Sequence, residues 1–137
     1  LVGRQTEARK MQGSVTGVFN LSECNATLLF VTLNKSDKDF SPSTQYNDYL
    51  INEHYFHWQS QNTDSHQNNG GQRYTKQADT QNKIILFVRE EKKDGYGNTC
   101  PFHCFGLVEY MSSHDDFPMN ITWKLQQPAM AQYVKAI

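Results

Sequence analysis

"HYFHWQSQNTDSHQNNGGQRYTKQ", residues 54–77, is the stretch on which the fold turns. Its first seven residues read as a strand. Side chains alternate between the faces of a strand, so Phe56, Trp58 and Ser60 share one side and Tyr55, His57 and Gln59 the other. Residues 61–71 then lose all periodicity and contain Gly70-Gly71, which predicts a flexible loop. "QRYTKQ" (72–77) predicts a short further strand.

Working outward, "SVTGVF" (14–19) and "ATLLFVTL" (26–33) are rich in β-branched and aromatic residues and read as strands. The second is almost continuously apolar, the pattern of a strand buried on both faces. "NKSDKDFSPSTQ" (34–45) has loop chemistry, and "YNDYLI" (46–51) fits a helical turn or an irregular segment. "KIILFVRE" (83–90) is a strand, followed by the charged turn "EKKDGYGN". "PFHCFGLVEYM" (101–111) alternates, with Phe102, Cys104, Gly106, Val108 and Tyr110 on one side and His103, Phe105, Leu107 and Glu109 on the other. "MNITWKL" (119–125) puts Ile121, Trp123 and Leu125 on one face, and "AMAQYVKA" near the C-terminus predicts a short helix. About six or seven short strands with turn signals between them predict a mostly-β (α+β) barrel or sandwich with one or two short helices.

A chain of 137 residues is one domain by length. The formal net charge of −1 argues against a protein that holds nucleic acid mainly through phosphate charge. Cys24, Cys100 and Cys104 are too few and odd in number for a disulfide framework, so a reducing, cytoplasmic setting is expected. No apolar run approaches the roughly 20 residues needed to span a bilayer, and no membrane partner is expected. The chain begins with Leu1 rather than Met, which reads as a piece of a longer protein. Asn20-Leu-Ser, Asn25-Ala-Thr, Asn34-Lys-Ser and Asn120-Ile-Thr match the glycosylation pattern, and in a chain this rich in Asn, Ser and Thr they read as chance matches.

Few motifs point to catalysis. Cys100 and Cys104 on one face of a strand would stand about 13 Å apart at ~3.3 Å per residue, too far for one tetrahedral zinc, so Cys104 reads as a buried structural thiol. Of the histidines, His57 alternates with strand aromatics, while His66 and His114 fall in polar segments. Neither a nucleophile elbow nor a phosphate-binding glycine loop is present, so no catalytic residue, cofactor or metal is expected in this domain. "YNDY" beside "FHWQSQN" is more informative. Aromatic faces stack on an extruded base, and carboxylate and amide groups bond its edge, so these residues are the parts of a nucleobase pocket.

The segments "LLFVTLNKSDKDFSPSTQYNDYLINEHYFHWQSQN", "GQRY", "ILFVRE" and "FGLVEYMSSHDDFPMNITWKLQQP" resemble, in order and spacing, a domain at the C-terminus of large bacterial helicase proteins. The resemblance spans roughly residues 13–128, and its best-known examples are the SauUSI-like modification-dependent restriction enzymes. It implies an SRA-like β-barrel of the PUA superfamily, in residues 13–137 after a lead-in at 1–12. It further implies a target-recognition module that flips a 5-methyl- or 5-hydroxymethylcytosine out of double-stranded DNA. Helicase and phospholipase-D-type nuclease domains, with ATP and magnesium, would belong to the rest of the polypeptide.

Because the resemblance brings no base-contact motif, the site residues rest on chemistry. Tyr46, Tyr49 and Trp58 are the expected stacking rings, and Asp48, Gln59 and Gln61 the expected base-edge groups. Lys35, Lys38, Arg73 and Lys76 are the expected backbone contacts, and 61–71 a loop that approaches the groove. The rival expectations are a protein-docking domain of the helicase, or a PUA-like reader of RNA or of another DNA mark.

Overall fold

A computed structural model describes residues 17–34 and 48–135. The lead-in at 1–12, the start of the first expected strand, and Lys35, Lys38 and Tyr46 lie outside them. The elements are β1 (Val18–Leu21), a 3-10 turn (Ser22–Cys24), β2 (Ala26–Asn34), β3 (Tyr49–Asn52) and β4 (Tyr55–Gln59). Then come α1 (Asn69–Thr75), α2 (Gln77–Thr80), β5 (Lys83–Glu91), β6 (His103–His114), β7 (Asn120–Leu125) and α3 (Ala131–Val134). Seven strands form one mixed sheet in the order β1-β2-β5-β6-β7-β4-β3. The protein is thus mostly β with a few short helices, the barrel-like α+β architecture that the strand pattern predicts.

The continuous apolar strands lie where that pattern requires. β2 and β5 run parallel, with Leu29 beside Leu86 and Val31 beside Val88. Thr27, Leu28, Leu29, Val31 and Thr32 are all buried, so both faces of β2 are covered. One face joins the main core with Phe56, Trp58, Ile121, Trp123 and Leu125, while the other packs Leu28 and Ile85 against Phe19, Phe30 and Phe87. Removing each such side chain from water contributes about 1.5–3 kcal/mol, which makes this pair the spine of the fold.

The polar run departs from expectation. Residues 61–71 are not a loose loop and 72–77 are not a strand; the chain turns and enters α1, whose Tyr74 drops into the main core. Asn68 is the cause. Its Oδ1 accepts from the Gly71 N–H at 3.0 Å and the Ser65 N–H at 3.2 Å, and its Nδ2 donates to the Thr63 carbonyl at 2.8 Å. One side chain therefore caps the helix and closes the turn before it. The glycines are there for close approach rather than flexibility: a Cβ on Gly70 would strike the Asp64 carboxylate, and one on Gly71 the Ser65 carbonyl and the Met119 sulfur.

β6 departs in a second way. Leu86 pairs with Gly106 but Phe87 with Cys104, so Phe105 is an extra residue, and Gly106 takes φ +85°. This bulge reverses the alternation. Phe105 and Val108 turn inward, whereas Cys104, expected to be buried, is exposed. Further register shifts at Leu50/Asn52 and Tyr110/Ser112 add to the coiling of the sheet. Among the described residues no helix is long and apolar enough to cross a membrane.

Candidate nucleic-acid interface

β4 is held between β3 and β7, and the outward side chains of the three strands meet at one end of the sheet. Asp48, just before β3, accepts the Gln59 backbone N–H on Oδ1 at 2.8 Å. Tyr49 lies opposite His57 and stacks on it, with ring centroids 4.5 Å apart and planes 16° from parallel. From β7, Asn120 faces both β4 residues: its Oδ1 is 3.1 Å from the Gln59 Nε2 and 3.1 Å from the His57 Nε2.

The orientation of the Asn120 amide follows from its remaining neighbour. Its Nδ2 donates to the Asp115 carboxylate at 3.1 Å, and a carboxylate only accepts. The amide oxygen must therefore face Gln59 and His57, so the His57 Nε2 carries a proton and donates. The result is a fixed row of carboxylate, ring, imidazole and amides, Asp48–Tyr49–His57–Gln59–Asn120–Asp115. Tyr49 is 45% exposed, so this row contains an accessible aromatic ring.

The expected site residues distribute unevenly around that row. Asp48, Tyr49 and Gln59 are brought together. Trp58 points to the other side of β4, 4% exposed, with Tyr74 at 5.1 Å edge-on and Trp123 at 6.1 Å. It is a core residue, because alternation puts it on the face of Phe56. Gln61 is half-buried, and its carbonyl accepts the Ser60 hydroxyl and the Asp64 N–H. Arg73 and Lys76 are exposed on and just after α1, rather than on a strand. His57, Asn120 and Asp115 were not among the expected site residues. Asn120 faces away from Ile121 by simple alternation, but only the pairing of β4 with β7 shows what it meets.

A second polar array adjoins the first along the β6–β7 hairpin. His66 is 2.8 Å from the Asp116 Oδ1 through Nδ1 and 2.6 Å from the Ser113 Oγ through Nε2; Ser113 is also 2.6 Å from the Tyr110 hydroxyl. The His66 backbone N–H donates to the same Asp116 oxygen at 2.8 Å. That backbone bond first, then the ring bond, holds the Asp116 carboxyl below the usual carboxylate range. Carboxylate, imidazole and hydroxyl follow in the order of a hydrolase relay. Ser113, however, lies in the ladder opposite Ile121 rather than on a sharp turn, and Tyr110 shares its hydroxyl. The array ties the 61–68 turn to the end of β6.

Nearby Asp64 is buried, and burial raises its pKa, opposed by the Gln61 backbone N–H and by the Arg73 charge. On the flank of the sheet, a cleft of about 320 Å³ lies between α2 and β6, with Gln77, Asn82 and Tyr110 among its walls. The Gln77 side chain spans it, donating to the Asn82 and Val108 carbonyls and accepting from the Tyr110 N–H. Among the described residues, no three His, Cys, Asp or Glu side chains converge as metal ligands.

A family model described as "Domain of unknown function (DUF3427)" matches residues 3–136. The chain belongs to the DUF3427 family. The match takes in nearly the whole chain, so β1 to β7 and the Asp48–Asn120 row all fall within one DUF3427 domain. No curated protein matches this DUF3427 chain.

Proposed function

We propose that this DUF3427 domain is a DNA-reading module that recognises a modified cytosine, 5-methyl or 5-hydroxymethyl, extruded from the duplex. In that role it would be the target-recognition part, SRA-like in kind, of a modification-dependent restriction or defence helicase of the SauUSI-like type. The observation that carries the reading is the exposed Tyr49 ring, fixed on His57 and set beside Asp48, Gln59 and Asn120. A flipped base needs one flat apolar face and groups that bond its edge. A carboxylate accepts from the exocyclic amine of cytosine, which gives Asp48 its role, and the Gln59 and Asn120 amides supply both donors and acceptors. The net charge of −1 suits a module whose specificity lies in one base rather than in many phosphates. Arg73 and Lys76 are the described candidates for the few backbone contacts. ATP and magnesium would serve the helicase and nuclease of the same polypeptide.

The test is a binding titration on matched duplexes carrying cytosine, 5-methylcytosine or 5-hydroxymethylcytosine. Tighter binding to a modified duplex is expected, with Tyr49→Ala and Gln59→Ala losing that preference while their melting curves stay close to the wild type. Equal, weak binding to every duplex would refute the reading and leave a protein-docking role in its place.

A further inference from the structure

The β6–β7 turn carries an aromatic residue that the recognition row does not use. Phe117 is 61% exposed and sits at φ +55°, in the left-handed region that bulky side chains rarely occupy. A lone exposed apolar residue is ordinary, and an unconstrained one relaxes. This one is clamped. Its N–H donates to the Asp64 carbonyl at 3.0 Å, and its neighbour Asp116 is bonded twice by His66. On the other side, Met119 is fully buried, donates its N–H to the Ser60 hydroxyl and accepts the Ser60 N–H, each at 2.9 Å. The surroundings thus over-determine an unfavourable backbone conformation and leave an apolar ring in water, the pattern expected where strain serves a function. Tyr96 is still more exposed, but in its turn the left-handed position falls on Gly97.

The clamped ring is joined to the reading row through its own turn. Asp115 at the start of the turn accepts from Asn120, and Asn120 bonds Gln59 and His57. Phe117 is three residues from Asn120, within about 10 Å along the chain. We propose that Phe117 is a wedge residue: its ring enters the base stack of the duplex and fills the gap that the extruded base leaves. This rests on the DNA-reading proposal above and names the group that holds the opened duplex. Apolar side chains inserted between base steps offset part of the cost of unstacking, and rigid mounting keeps the ring from folding away when it meets the stack.

The experiment uses duplexes with 2-aminopurine next to a 5-methylcytosine, either paired with guanine or placed opposite an abasic site. Opening the second duplex is already easy, because the target has no partner. Wild type, Phe117→Ala and Phe117→Leu are compared after thermal melts establish that all three fold. The expected result is a loss of about tenfold or more in affinity for Phe117→Ala on the paired duplex, together with its 2-aminopurine signal. That loss should shrink on the abasic duplex, and Phe117→Leu should fall between wild type and Phe117→Ala. Wild-type binding by Phe117→Ala on both duplexes would overturn the wedge while the reading proposal stands. So would an equal loss on both, which would make Phe117 an ordinary contact. Failure of the wild type to prefer either the 5-methyl- or the 5-hydroxymethylcytosine duplex over unmodified cytosine in the titration above would overturn both proposals together.

Discussion

Replacing Gly71 with alanine sets two ordinary effects against each other. In an exposed helix interior the change stabilises by about 1 kcal/mol, because alanine has the better helix propensity. Here the new Cβ would stand 2.6 Å from the Met119 sulfur and closer still to the Ser65 carbonyl oxygen, against about 3.4 Å for ordinary contact. The sulfur alone must retreat by 3.4 − 2.6 = 0.8 Å, and the Ser65 backbone by more. Met119 is fully buried and its amide is fixed to Ser60, so it has little room to yield. Overpacking of this kind costs about 1–3 kcal/mol. Moving Ser65 away from α1 also strains the Asn68 cap, worth about 1 kcal/mol. Against the propensity gain of about 1 kcal/mol, the net is a loss of about 1–3 kcal/mol. Urea denaturation followed by tryptophan fluorescence measures it, with Gly95→Ala as the control, since a Cβ at Gly95 meets nothing within 4 Å. A Gly71→Ala protein as stable as the wild type would refute the close-packing account and restore the flexible-loop expectation for the glycine pair.

Other outcomes follow from the same packing and electrostatics. Trp58→Ala should cost about 3–5 kcal/mol in chemical denaturation, as a buried aromatic does, whereas Tyr49→Ala on the exposed row should cost far less. Asn68→Ala should lose about 1–2 kcal/mol, since one amide holds the helix cap and the turn before it. Asp116 has a depressed pKa in the folded chain, so its stabilising contribution is complete above the ordinary carboxylate value and disappears as pH falls through the lower folded one. Denaturation midpoints measured downward from pH 5 should therefore drop more steeply below about pH 4 for the wild type than for Asp116→Asn. Binding to a modified duplex should weaken only shallowly between low and moderate salt; a slope of many counterions would contradict recognition through a single base.

How far the chain can be read without its fold depends on the range of the signal. β2, β5 and β7 are legible because burial writes itself into consecutive or alternate residues: Leu28, Leu29 and Val31, or Ile121, Trp123 and Leu125. Residues 61–77 are not, because α1 has seven residues and buries only Gly71 and Tyr74, too few to display a helical period. Asn68 ahead of the helix was the available clue, hidden by a double glycine that usually marks a loop. In β6 a single inserted residue, Phe105, exchanges the faces; the local sign in "HCFGLV" is Gly106, which marks a bulge but does not say which residue is inserted. Within the polar row, the chemistry of Asp48, Tyr49 and Gln59 is readable from one strand and its approach. Asn120 and Asp115 join it only through a strand pairing. Trp58 has the aromatic character of a stacking ring, but the inward parity it shares with Phe56 places it in the core.

The pairing of β4 with β7 also bears on how the domain comes into being. His57 and Asn120 are 63 residues apart in sequence, and α1, α2, β5 and β6 all lie between them. During synthesis the β3–β4 hairpin emerges with Phe56 and Trp58 uncovered and no neighbour on its β7 side. Contacts of such long separation form late, after the intervening chain has paid its closure entropy. The polar row across β3, β4 and β7 is therefore absent from every nascent length that stops short of β7. A polypeptide released early would carry an unpaired strand edge beside exposed aromatic rings, a surface for aggregation.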